Sequence, residues 1–327
     1  MPTTPDRIDL ATLPTPLERA DRLSAAWGGP TIWVKRDDLT GFGLSGNKVR
    51  KLEYHFAAAI ASGADTVVTC GAVQSNHCRA TAVAAARLGL ACDVYLRAAA
   101  PPRSVTANHL LMRLAGASVT LVTPDEYSAR DELMEARAAK YAAAGRSAWV
   151  IPEGASDALG MWGLVRGTRE LADQAAVIPA RRISIWHAAS SGGTTAGIAW
   201  AIDRLGLDMD VTAVSVGDSG DEFGSRLSAI WSTATAGWGG ATPGVPIDFV
   251  DGYVGEGYGV ASTEQLAVEA EATALTGLLF DPTYTGKALF ALKSEIEAGR
   301  FGRDDHVVFW HTGGGFAVFA TDYGGVI

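Results

Sequence analysis

The chain has 327 residues, 48% hydrophobic and 19% charged, with 38 glycines and a formal net charge of -9, a globular composition with room for two lobes and no signature of disorder. That charge repels a phosphate backbone and no Lys/Arg block offsets it, which excludes nucleic acid as an expected partner. Cys70, Cys78 and Cys92 form an odd set without C-x-x-C spacing, no apolar run reaches the roughly 18 to 20 residues of a membrane span, and Met1 to Arg7 lacks a leader pattern; the expectation is a reducing, cytoplasmic protein with no metal site and no membrane contact.

In chain order, the flexible run Gly41-Phe42-Gly43-Leu44-Ser45-Gly46 leads through Asn47 and Lys48 into an apolar-periodic segment. Lys48 is thus expected at a loop-to-helix junction, where partial burial beside glycine-rich backbone lowers an amine's pKa toward its nucleophilic, neutral form. From residue 66 the pattern predicts a strand at 66–70, a helix at 76–88, a strand at 91–96 and a helix at 107–115. A strand at 118–122, a helix near 129–144 and a strand at 148–151 follow. A second series predicts a strand at 183–188, a helix at 194–204 and a strand at 211–216, then helices near 223–234, 263–276 and 286–298 and a last strand at 306–310. This βαβ rhythm gives an α/β class with two open, mainly parallel sheets flanked by helices. The expected division is a small lobe at 49–162, with the large lobe built from 1–48 and 163–327.

Several strand-to-helix turns carry chemistry. Ala189-Ser190-Ser191-Gly192-Gly193-Thr194-Thr195 follows a strand and opens a helix, so its backbone N–H groups and hydroxyls can converge on one anion. It lacks the lysine of a nucleotide P-loop and the spacing of a dinucleotide fingerprint, leaving a single phosphate or plain tight packing. Gly71-Ala72-Val73-Gln74-Ser75-Asn76-His77 occupies the equivalent turn of the first series, where Ser75 and Asn76 either hold a substrate carboxylate or only cap the helix. Asp281-Pro282-Thr283-Tyr284-Thr285-Gly286-Lys287 and His311-Thr312-Gly313-Gly314-Gly315 fall where open α/β sheets collect ligands. Tyr284 there is an acid/base candidate or a packing residue, and Thr312 a donor to a ring nitrogen or a turn residue.

Together S-G-N-K-V-R-K-L-E-Y (45–54), G-A-V-Q-S-N-H (71–77), S-S-G-G-T-T-A-G (190–197), Y-V-G-E-G-Y-G (253–259), D-P-T-Y-T-G-K (281–287) and H-T-G-G-G (311–315) resemble, in order, the D-cysteine desulfhydrase and 1-aminocyclopropane-1-carboxylate deaminase family. L-P-T-P-L-E-R (13–19) and W-V-K-R-D-D-L-T-G (33–41) belong to the same pattern, so the likeness spans about residues 10 to 320. It implies a pyridoxal 5'-phosphate enzyme of the tryptophan synthase β-like fold (type II), acting as a homodimer on a small amino acid. On this carry-over Lys48 bonds the cofactor, Ser191, Gly192, Gly193 and Thr194 grip its phosphate, Asn76 meets the ring hydroxyl and Thr312 the pyridine nitrogen. Ser75, Asn76 and His77, with neighbouring backbone, address the substrate carboxylate, Tyr284 stands near the reacting carbon, and Tyr258 and Thr285 complete the substrate pocket. Three motifs depart from the family pattern: S-G-N-K stands for G-G-N-K, A-S-S-G-G-T for S-G-S-G-G-T, and H-T-G-G-G-F for H-T-G-G-A-P. The deaminase branch has glutamate after the tyrosine where this chain has Thr285, so the resemblance points to a β-eliminating lyase that releases pyruvate and ammonia. Ring-opening deamination, racemisation or β-replacement are the alternatives.

Overall fold

The computed structural model describes residues 4–179, 182–217, 219–324 and 326, so the first three residues of the stretch inspected for a leader lie outside it. Ten strands are described: β1 (Leu17–Arg19), β2 (Thr31–Arg36), β3 (Thr66–Ala72), β4 (Ala91–Arg97), β5 (Ser118–Val122), β6 (Ala148–Val150), β7 (Ile183–Ala189), β8 (Met209–Ser215), β9 (Ile247–Val250) and β10 (His306–His311). They form a six-stranded sheet in the order β1-β2-β10-β7-β8-β9 and a four-stranded sheet in the order β5-β4-β3-β6. Every pairing is parallel except the β1–β2 edge.

Parallel sheets need both faces covered, and β10 shows how the sequence meets that demand. Val307 and Phe309 pack with Trp186, Leu289 and Leu292 on one side, while Val308 and Trp310 pack with Ile183, Ile185 and Leu164 on the other. Alternate residues point to opposite faces, so a continuous apolar run serves both cores. The small sheet packs its own core of Val67, Val94 and Leu96 against Val49, Leu52 and Phe56 of the helix Lys48–Ala61. Leu10 joins this core, and Ile8 N–H donates to Glu53 O of the same helix at 3.1 Å.

A buried ionic network anchors that helix. The Arg50 guanidinium holds Asp37 Oδ1 at 2.7 Å and Oδ2 at 2.8 Å, and Glu170 Oε1 and Oε2 at 3.0 Å each. Lys35 Nζ adds a 2.5 Å contact to Glu170, and Trp310 Nε1 donates to Asp37 Oδ2 at 2.8 Å. Strand β2, strand β10, the helix Lys48–Ala61 and the helix Trp162–Gln174 are thus tied at one point, two residues along from Lys48. Among the described residues no helix is long and apolar enough to cross a membrane and no group of His, Cys, Asp or Glu side chains could hold a metal ion.

Candidate active site

Lys48 is the first residue of its helix, and the loop presenting it is held on several sides. Arg79 is buried in the helix Asn76–Leu88 and donates to Gly43 O and Ser45 O at 2.6 Å each. Asn47 N–H donates to Thr312 O at 3.0 Å, and Asn47 Nδ2 to Thr194 Oγ1 at 3.0 Å. The lysine thereby faces a cavity of about 320 Å³, lined by Ser75, Asn76 and His77 from the small-sheet side and by Ser191, Gly192, Thr194, Tyr258, Tyr284 and Thr312 from the large. Burial lowers the Lys48 pKa to about 8, against the opposing charge of Glu153, which leaves about a tenth of the amine neutral at pH 7, against well under a thousandth for an ordinary lysine.

The phosphate-type cradle is built by close approach. Gly192 opens the helix Gly193–Leu205 at φ 83°, and a Cβ on Gly193 would meet the Ser156 Cα at 2.8 Å and Lys51 Nζ at 2.9 Å. A Cβ on Gly154 would meet Ser191 Oγ at 2.5 Å and Lys48 Nζ at 3.2 Å. Only glycines let these loops close around the helix N-terminus, where backbone N–H groups and the helix dipole favour an anion. Ser191 Oγ and Ser156 Oγ lie 2.7 Å apart.

Motif reading passes over Lys51, the residue that best defines this cradle. Its side chain is fully buried, and Nζ donates to Ser156 Oγ at 2.9 Å and Gly154 O at 3.3 Å, with no carboxylate in contact among the described residues. Burial, with the neighbouring Lys48 charge, pushes its pKa well down. Two lysines sharing a pocket at a helix N-terminus create a demand for negative charge, which Glu153 and Asp157 temper from a distance and no carboxylate among the described residues meets at Lys51 Nζ. The signal was present in the quoted stretch K-V-R-K, because positions i and i+3 share a helix face. Gly154 and Ser156 come from Glu153-Gly154-Ala155-Ser156 just beyond β6, a turn with no motif to mark it.

Asn76 is oriented by a chain of donors. An arginine can only donate, so Arg79 Nε, 3.0 Å from Asn108 Oδ1, settles the Asn108 amide. Asn108 Nδ2 then donates to Asn76 Oδ1 at 2.9 Å, which leaves the Asn76 Nδ2 protons for the cavity. Ser75 is the N-cap, its Oγ accepting from Cys78 N–H at 3.1 Å.

His77 lines the cavity with its imidazole already committed. Thr69 donates its hydroxyl to Ile151 O at 2.8 Å, so His77 Nε2, 2.7 Å from the same oxygen, is the protonated nitrogen. Nδ1 is then a bare acceptor, buried without a partner, and burial holds the ring neutral. A carboxylate would meet the backbone N–H at this turn, since the imidazole has no free donor.

Tyr284 and Tyr258 share a hydroxyl–hydroxyl hydrogen bond across the cavity. Burial raises both pKa values, Tyr284 further because Tyr258 is its neighbour, so both remain protonated. Thr285 is not brought to the cavity. It is fully buried, its hydroxyl donates to Asp281 Oδ1 at 2.7 Å, and Asp281 N–H donates back to that hydroxyl at 2.7 Å.

The fold and this lysine-centred anion cradle define a class. The family model described as pyridoxal-phosphate dependent enzyme matches residues 8–313, so the chain belongs to that family. A D-cysteine desulfhydrase of Salmonella choleraesuis is 38% identical over 321 residues, covering 96% of this chain and 95% of that protein. A Thermotoga maritima protein provisionally named 1-aminocyclopropane-1-carboxylate deaminase is 38% identical over 315 residues, covering 96% and 98%. Among solved structures, an ACC deaminase homologue superposes with a TM-score of 0.88 at 33% identity, covering 97% of this chain and 94% of that one. A Rhizomucor miehei L-serine ammonia-lyase shares the fold with a TM-score of 0.65 at 17% identity. The fold is the tryptophan synthase β-like type II arrangement, the cofactor is pyridoxal phosphate, and the chain is a lyase.

Proposed function

We propose that the protein is a β-eliminating lyase acting on D-cysteine or a close β-substituted relative, releasing the substituent, pyruvate and ammonia. The observation that carries this reading is the pairing of Lys48, whose amine is lowered to about 8 by burial, with the Lys51 cradle on one side and the Ser75 turn on the other. In it Lys48 would hold the cofactor's aldehyde carbon, Lys51, Ser191, Ser156 and the N–H groups of 192–194 its phosphate, and Asn76 Nδ2 and Thr312 its ring. When bound, pyridoxal phosphate takes up the substrate amine and withdraws the electron pair left at Cα.

The chain supplies the rest. Ser75 Oγ and the free N–H groups at the start of the helix Asn76–Leu88 receive the α-carboxylate. The Lys48 amine, once released, accepts the Cα proton. The Tyr258–Tyr284 pair, kept protonated, stands ready to protonate a departing substituent. Ring-opening deamination is less well served: the residue after Tyr284, glutamate in the deaminase branch, is Thr285, turned onto Asp281 and away from the cavity.

The three cysteines, buried and unpaired, support a reducing, cytoplasmic setting. Exposed Phe42, edge-on to Phe316, and exposed Phe319 support a homodimer; light scattering giving a monomer mass would remove that element. The activity is tested by incubating the holoenzyme with D-cysteine, L-cysteine, β-chloroalanine and 1-aminocyclopropane-1-carboxylate. Pyruvate from a β-substituted substrate is expected; 2-oxobutyrate from the cyclopropane alone would reverse the assignment.

A further inference from the structure

Arg97 ends β4, in register with Ala72 of β3, and its side chain lines the cavity. Its guanidinium lies 5.3 Å from the Tyr127 ring centroid and 5.6 Å from that of Tyr258. Among the described residues no acceptor or carboxylate meets it. The charges and hydroxyls around it are already engaged. Tyr127 Oη donates to Glu153 Oε1 at 2.7 Å, Arg130 Nε sits 3.3 Å from Glu153 Oε2, and the Tyr258 hydroxyl bonds that of Tyr284. A guanidinium held by two aromatic rings and facing a cavity keeps its planar fork of donors for a ligand, and that fork matches an oxyanion.

With the α-carboxylate placed at Ser75 and the helix start, Arg97 is left stacked between Tyr127 of its own lobe and Tyr258 of the opposite one. We propose that Arg97 recognises the substrate's β-substituent, and that the preferred substrates are 2-amino acids whose β-substituent is itself an oxyanion, above all a sulfonate. This deepens the lyase reading of the same site and rests on it.

The step balances without an added oxidant. The Cα–H bond breaks with its proton passing to Lys48, and the Cβ–S bond breaks with its electron pair leaving on sulfur as sulfite. One water hydrolyses the remaining aminoacrylate to pyruvate and ammonium. Arg97 neutralises charge that grows on the departing group, so its contribution is larger as the bond breaks than in the bound substrate.

The test compares kcat/KM of the holoenzyme for cysteate with that for cysteine and β-chloroalanine, each as both enantiomers, in wild type, R97M and R97K. Wild type is expected to favour cysteate by about tenfold or more, R97M to lower the cysteate-to-cysteine ratio by about 100-fold, and R97K to restore part of it. In parallel, calorimetry with 3-sulfopropionate, which lacks the amine and cannot react, is expected to show binding to wild type that R97M abolishes and that propionate does not reproduce. A wild-type preference for the uncharged substituents would overturn the proposal. So would an equal loss on every substrate in R97M, which is the result of an α-carboxylate role. Absence of pyruvate from all substrates sinks the lyase reading instead, and calorimetry then decides the Arg97 site by itself.

Discussion

Replacing Lys51 with methionine separates two effects of opposite sign. The Lys51 amine is fully buried, donating to Ser156 Oγ at 2.9 Å and Gly154 O at 3.3 Å, and burial with the Lys48 charge opposes its protonation, so without an anion it is a cost to the fold whether charged or forced neutral; methionine has similar volume and no charge. The apo form of K51M is therefore expected to be more stable than apo wild type, by about 1 kcal/mol or more. A phosphate in the cradle would gain a charge-assisted hydrogen bond from Lys51, worth about 2 kcal/mol in a site closed to water, so the variant should bind pyridoxal phosphate roughly 30-fold more weakly. Chemical denaturation of the apo proteins and equilibrium titration with pyridoxal phosphate, followed by absorbance, measure the two quantities separately. Unchanged cofactor affinity would refute the assignment of Lys51 to the phosphate, whatever the apo stability did.

The depressed Lys48 pKa gives a pH test. With the folded value near 8 and the ordinary value 10.5, the unfolded chain binds more protons between them, so this group's contribution to apo stability rises from about pH 8, is complete above 10.5, and is lost as pH falls back through 8. The rate at which Lys48 captures pyridoxal phosphate should rise with pH and level off above about 8; a flat profile from pH 6 to 9 in stopped-flow absorbance would contradict the lowered value. Arg50→Leu strands Asp37 in the interior and is expected to destabilise the protein by about 3 to 5 kcal/mol in denaturant titrations, more than any surface charge deletion. Asn108→Ala removes the donor that turns the Asn76 amide, so cofactor affinity should fall about tenfold while the melting temperature changes little; the reverse pattern would make Asn108 a packing residue.

Local periodicity made much of the architecture legible. The predicted helices at 76–88 and 263–276 and strand at 118–122 coincide with the observed elements, and most others differ only by a residue or two at their ends, because apolar runs and alanine-rich stretches carry their periodicity locally. Strands β1, β2 and β9 and the helix Trp162–Gln174 escaped notice. The strands are short or polar-flanked, and β2 is a strand because β10 and β1 pair with it, a condition set by segments far away in the chain.

The site divides in the same way. Lys48, the Ser75 turn and the Ser191–Thr194 loop were evident because glycine, cap residues and a following helix are local signatures of a convergent N–H cradle. The amide orientation of Asn76, the bare Nδ1 of His77 and the turning of Thr285 onto Asp281 depend on partners from distant segments or neighbouring turns, so no motif contains them. Residue types and their order determined which chemistry the chain can attempt. Which donors remain free, which amines lose their water and which arginine faces the cavity were decided only when two sheets closed on one another, because desolvation and hydrogen-bond pairing are properties of neighbours in space.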